Sequence, residues 1–156
     1  MIKILSPILF IWIAACGETD TVITPQSKVN NLAKIVGVEC KGQPNNYTFS
    51  VSIESDETGC EQYADWWEVI TPDSILIYRR ILAHSHVNEQ PFTRSGGVID
   101  VGADDFIYVR AHMNNAGYGS IVFSGTPREE LKPDSISADL AASLAEQQPL
   151  PDGCDF

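Results

Sequence analysis

Apolar residues along this chain follow three patterns. The first is a block from Ile4 to Ala14, almost wholly apolar, preceded by Met1-Ile2-Lys3 and closed by Ala15 and Cys16. The second is alternation, clearest at Tyr47–Glu54, where Tyr47, Phe49, Val51 and Ile53 take one face and Thr48, Ser50 and Ser52 the other. A period of two with one apolar face predicts a half-buried strand. Comparable runs at Lys34–Glu39, Tyr63–Ile70, Ile75–Ala83, Val98–Val101, Phe106–Met113 and Ser120–Ser124 are separated by turn-forming stretches rich in Gly, Pro, Asn and Asp. In Phe106–Met113 the positions Ile107, Val109, Ala111 and Met113 form the expected core face, opposite Phe106, Tyr108, Arg110 and His112. Trp66 and Trp67 are neighbours on one strand and must face opposite ways, so one of them is expected in the core. Seven short strands with no long amphipathic helix among them predict an all-β chain. The expected form is an immunoglobulin-like antiparallel β-sandwich over residues 34–125. The polar stretch from His84 to Gly97 is expected to be a long irregular connection. The third pattern lies in the tail, 126–156, where Ile136, Leu140, Ala141 and Leu144 make a helical stripe. Ser137 or Asp134 is a suitable cap, and Pro149 and Pro151 stop the predicted short helix, Ile136–Gln147.

The leading apolar block is shorter than the roughly 20 residues that a permanent membrane helix needs. Its charged start, apolar middle and small-residue end have the order of a secretory signal. Ile13-Ala14-Ala15-Cys16 resembles the bacterial lipobox, and the resemblance implies removal of residues 1–15 and a lipid on Cys16. Residues 16–33, polar and with one Pro, then read as a flexible tether. Gly17 after the cysteine implies, by the same resemblance, the outer membrane of a bacterial cell envelope. Loss of Lys3 with the leader takes the net charge from −11 to −12. So acidic a chain is repelled by nucleic acid and by anionic lipid headgroups, which leaves the lipid anchor as the expected membrane contact.

Three cysteines remain. Thiols outside the cytoplasm tend to pair, so one disulfide and one free Cys are expected. If the strands run alternately up and down, Cys40 lies at one pole and Cys60 at the other. A returning tail brings Cys154 towards Cys60, so Cys60–Cys154 is the predicted bridge and Cys40 the free thiol.

Candidate chemistry centres on His84-Ser85-His86-Val87-Asn88-Glu89. Histidines at i and i+2 on an extended segment point to one side, which suits a shared metal ion. With Glu89 and the third histidine, His112, they form a candidate zinc or copper site. His84-x-His86, Glu89 and Gly96 resemble the first metal motif of the cupin family and imply, as an alternative, a divergent cupin-like metalloenzyme. The His86–Glu89 spacing is one residue short of that motif, Tyr78 replaces its leading Gly, and no second motif follows. Arg79-Arg80, and Arg94 with Arg110, are candidates to clamp a carboxylate or sugar acid. There is no Gly-x-Ser-x-Gly, His-Glu-x-x-His or phosphate loop. Segments from Tyr63 to Gly119, among them Trp67–Asp73, Arg80–His86 and Glu89–Ser95, resemble a group of small exported bacterial envelope proteins to which no activity attaches. The expectation is therefore a non-enzymatic binding or interaction module. A purely structural envelope lipoprotein is the other reading.

Overall fold

The computed structural model describes residues 32–155. The leader, Cys16 and most of the expected tether lie outside the described residues. Within them the chain is built of antiparallel β-strands in two sheets: β1 (Lys34–Gln43), β2 (Asn46–Glu54), β3 (Ala64–Ile70), β4 (Leu76–Ile81), β5 (Phe92–Ile99), β6 (Ile107–Met113), β7 (Gly117–Tyr118), β8 (Ile121–Gly125) and β9 (Lys132–Ser135). One sheet has the order β1-β2-β5. The other runs β4-β3-β6-β8-β9, with β7 paired to β6.

The alternation read in β2 is what buries it: Phe49, Val51 and Ile53 are fully enclosed while Ser50 and Ser52 face outwards. They meet Trp67 and Val69 of β3 and Ile107, Val109, Ala111 and Met113 of β6 in one core shared by the two sheets. Each such side chain contributes about 1.5–3 kcal/mol by leaving water. Trp67 is the core indole, and Trp66 lies on the other face, as the strand period requires.

Two segments depart from the expected pattern. The polar stretch is irregular only as far as Pro91, because Phe92–Ile99 is a strand paired with β2. Only Phe92 and Ile99 of it are buried, and its outer face is held by hydroxyl pairs, Ser50–Ser95 at 2.8 Å and Ser52–Thr93 at 2.7 Å. An edge strand built this way carries little hydrophobic alternation. The sheet also continues past residue 125 into β9, whose four residues are all exposed. Its Pro133 is compatible with a strand because β9 lies at an edge, where one side of the backbone has no partner.

The start of β1, the ends of β2 and β6 and the start of β3 lie at one pole. The chain enters there, beside Gly119, where an added Cβ would stand 1.8 Å from the Ala33 carbonyl oxygen. The β1–β2 turn lies at the other pole, tied by Asn45 N–H to the Val101 carbonyl at 2.8 Å.

Candidate functional site

Two rows of side chains cross the outer face of the larger sheet. Register sets the first: Glu68 of β3 stands between Arg79 of β4 and Arg110 of β6. All three side chains are inaccessible to solvent, although this face points away from the core. Arg79 donates from Nε and Nη2 to Glu68 Oε2 at 2.7 and 2.6 Å. Arg110 donates from Nε and Nη2 to Oε1 at 2.8 and 2.7 Å. Each arginine thus directs two charge-assisted donors to one carboxylate oxygen, so both oxygens of Glu68 are saturated. In the second row Trp66 stacks on His112 at 3.8 Å, and Tyr118 of β7 closes edge-on at 4.8 Å from His112. The rows interlock, with Arg79 over the Trp66 ring at 4.4 Å and Arg110 over Tyr118 at 3.5 Å. Burial, and after it the charge of Glu68, pushes the Tyr118 phenol up to about 12. His112 Nδ1 is 2.7 Å from Asp65 Oδ1. Burial raises the Asp65 carboxyl, and the bond to His112 opposes that rise.

The C-terminal tail covers these rows. Arg79 donates to the carbonyls of Leu144 (2.6 Å), Gln147 (2.5 Å) and Pro149 (3.0 Å), and Arg110 to those of Leu140 and Ala141, the latter at 3.0 Å. The contact is almost wholly main-chain, since Leu144 is the tail's one buried side chain after Leu131. This explains why the predicted helix Ile136–Gln147 is absent. Leu140 O, which would accept the helical bond from Leu144 N–H in the middle of that helix, is taken by Arg110, and Leu144 N–H bonds Ala141 O instead. Ala141 is left-handed at φ 52°, and only a 3₁₀ turn, Ala142–Glu146, remains. The tail ends where the cysteine reading placed it. Cys60 and Cys154 are bonded, with Cα atoms 5.6 Å apart, and Asp155 N–H reaches the Ala83 carbonyl at 2.6 Å. Cys40 is free and half-buried. It lines a cleft of about 340 Å³ with Val38, Leu131 and neighbours, and burial raises its thiol pKa, which keeps it protonated.

The expected metal residues are not gathered. His86 is buried against the core ring of Phe92, stacked at 3.8 Å, with His84 at 4.6 Å. His112 is engaged with Trp66 and Asp65, and Glu89 is drawn to Arg94 at 2.9 Å, which lowers its pKa. Among the described residues no group of three or more His, Cys, Asp or Glu side chains is placed to hold a metal ion. The geometry therefore departs from the four-residue zinc or copper site and from the cupin-like alternative. The reason is local: Glu57, buried beneath the segment, takes the donors that orient it. Glu57 accepts from Ser55 Oγ and Ser85 Oγ, each at 2.9 Å, from Ala64 N–H at 3.1 Å and from His86 N–H. Among the described residues neither ring nitrogen of His86 has a hydrogen-bond partner, and burial, then the charge of Arg94, lowers its pKa. Arg94 and Arg110 also stand apart, one on each sheet. The carboxylate clamp that forms is Arg79 with Arg110, and its carboxylate is the chain's own Glu68. Glu68 lay unnoticed in the run Trp67-Glu68-Val69. A charged residue flanked by core residues, opposite an arginine in each neighbouring strand, was the signal available.

No protein-family profile matches this chain, and no solved structure matches it. Over 71 residues it is 39% identical to a protein of Halomicrobium mukohataei named "Putative lipoprotein". That match covers 46% of this chain and 35% of the relative, about a third of its length.

Proposed function

We propose that this chain is a lipid-anchored envelope protein whose β-domain is a non-enzymatic interaction module. Anchorage is supported by Ile13-Ala14-Ala15-Cys16 after a charged start and an apolar block, and by the name of the Halomicrobium relative. Among the described residues no helix is long and apolar enough to cross a membrane, so in this reading the hold on the membrane is the lipid on Cys16. An immunoglobulin-like sandwich is supported by the order β1-β2-β5 facing β4-β3-β6-β8, the antiparallel pairing and the indole of Trp67 in the shared core.

One observation carries the interaction reading. The largest set of buried charges, Glu68 with Arg79 and Arg110, spends its remaining donors on the main chain of a polypeptide segment. A sheet face so equipped holds peptide rather than transforming a small molecule. Mass spectrometry of the membrane fraction tests the anchor: an acylated Cys16 at the mature N-terminus is expected, with Cys16→Ser protein released to the soluble fraction. Equal partition of both proteins would reject anchorage.

A further inference from the structure

We propose that the face beneath the tail is a binding site for a peptide ending in a carboxylate next to an aliphatic residue. The chain's own segment 140–149 is then a resident occupant, held in place by Cys60–Cys154. This deepens the interaction-module reading and rests on it.

Three observations support the assignment. Arg79 and Arg110 converge on one carboxylate, Glu68, while the other carboxylate of this face, Asp65, is turned to His112, and the tail meets both guanidinium groups only with neutral carbonyls. Trp66 is buried on the same face, and its Nε1–H has no hydrogen-bond partner among the described residues. The face therefore offers one donor more than its occupant uses, in surroundings where an unmet donor is costly. The occupant is also lightly seated, because Leu144 is the one buried side chain of the covering segment. A carboxylate at the place of the Leu144 carbonyl, 2.6 Å from Arg79 Nη2, would give the guanidinium an ionised acceptor in place of a neutral one, and the leucine side chain would keep its seat.

The disulfide decides which occupant holds the face. While Cys154 is bonded to Cys60 the tail is tethered at both ends, through β9 on one side and through a bridge of 94 residues' separation on the other, and the second tether raises its effective concentration above what β9 alone gives. A dithiol opens it. One reductant thiolate attacks a sulfur of the bridge and displaces the other as thiolate. The second reductant thiol then resolves the mixed disulfide, leaving two protonated cysteines in the protein and an oxidised, cyclic reductant. Cys60 and Cys154 are both partly exposed, so the bridge is within reach of such a reagent.

The test uses the mature chain, oxidised and then reduced with a dithiol. The probe is the peptide acetyl-Asp-Leu-Ala-Ala-Ser-Leu, corresponding to residues 139–144, as free acid and as C-terminal amide. Hydrogen exchange is expected to rise across 140–149 on reduction while β2, β3 and β6 stay protected. The acid should then bind saturably at least tenfold tighter than the amide, with at least tenfold weaker binding to the oxidised protein. Trp66→Phe, which keeps the ring and removes the N–H, should weaken the acid several-fold. The Cys154→Ser chain without reductant should behave as the reduced protein does, which guards against a side effect of the reagent. If exchange across 140–149 is unchanged by reduction, or if the tail opens and neither peptide binds, the proposal is overturned. Binding of another protein elsewhere on the domain would in that case still support an interaction module, and failure of Cys16 acylation would reject the anchor alone.

Discussion

Replacing Glu68 by glutamine leaves the shape of the side chain and removes its charge. In the native row each carboxylate oxygen takes a fork from one arginine, at distances between 2.6 and 2.8 Å. The amide keeps one oxygen and turns its NH₂ towards the other arginine, so two donors face each other and two guanidinium charges lose their common counter-charge. Breaking a buried pair by removing one partner costs about 3–5 kcal/mol, because an uncompensated charge stays behind. The tail carbonyls still accept from both arginines, which argues for the lower half of that range. Urea unfolding followed by tryptophan fluorescence measures the loss. With a slope of about 2 kcal/mol per molar, the midpoint should fall by about 1.5–2 M at unchanged slope. Arg80→Gln, one residue from Arg79 but exposed, is the control and should stay within about 0.5 kcal/mol of the parent. A fall of less than about 0.5 M for Glu68→Gln would refute the view that this carboxylate holds the arginine pair.

Two further outcomes follow from the geometry. Gly119→Ala places a Cβ 1.8 Å from the Ala33 carbonyl oxygen, so the backbone where the chain enters β1 has to move. A loss of about 1–3 kcal/mol is expected, seen as a lower melting temperature with faster amide exchange at Lys34 and Ile35, and an unchanged melting curve would count against this close approach. His86→Phe keeps the stack on Phe92 and removes a ring that has no hydrogen-bond partner to lose. Because the folded pKa of His86 lies below its unfolded value of about 6.5, the unfolded chain binds the proton first as pH falls between the two. His86 therefore costs no stability above about pH 6.5 and destabilises the fold below it, by up to about 1.4 kcal/mol per pH unit within that window. Denaturation midpoints from pH 7.5 to 5 should fall less steeply in the variant than in the parent. Equal slopes would show that His86 does not titrate differently in the two states.

Strands with one apolar face were legible because burial writes a period of two into the chain, as in Tyr47–Ile53 and Ile107–Met113. The Cys60–Cys154 pairing was legible from strand direction and a returning tail, although the tail returns without the expected helix. β5 and β9 were not, since edge strands rest on backbone pairing and hydroxyl contacts and need no apolar alternation. The helix in the tail had its stripe but lost its carbonyls to Arg79 and Arg110, groups far away in sequence and invisible to any local pattern. The same kind of distance hid the candidate site. Glu68, Arg79 and Arg110 are 11 and 42 residues apart and become neighbours only through the pairing of β3 with β4 and β6. His84 and His86 stand out in the sequence because histidine is scarce, yet their surroundings are set by Glu57 and Phe92.

The bridge between Cys60 and Cys154 also changes what a protease can accomplish. A single cut anywhere from 61 to 153 opens a covalent ring and detaches nothing, so the fragments stay bound to each other. With the bridge reduced, the same cut releases one fragment from the other wherever packing alone does not hold them. One sulfur pair thus decides whether a nicked fold remains a single covalent molecule.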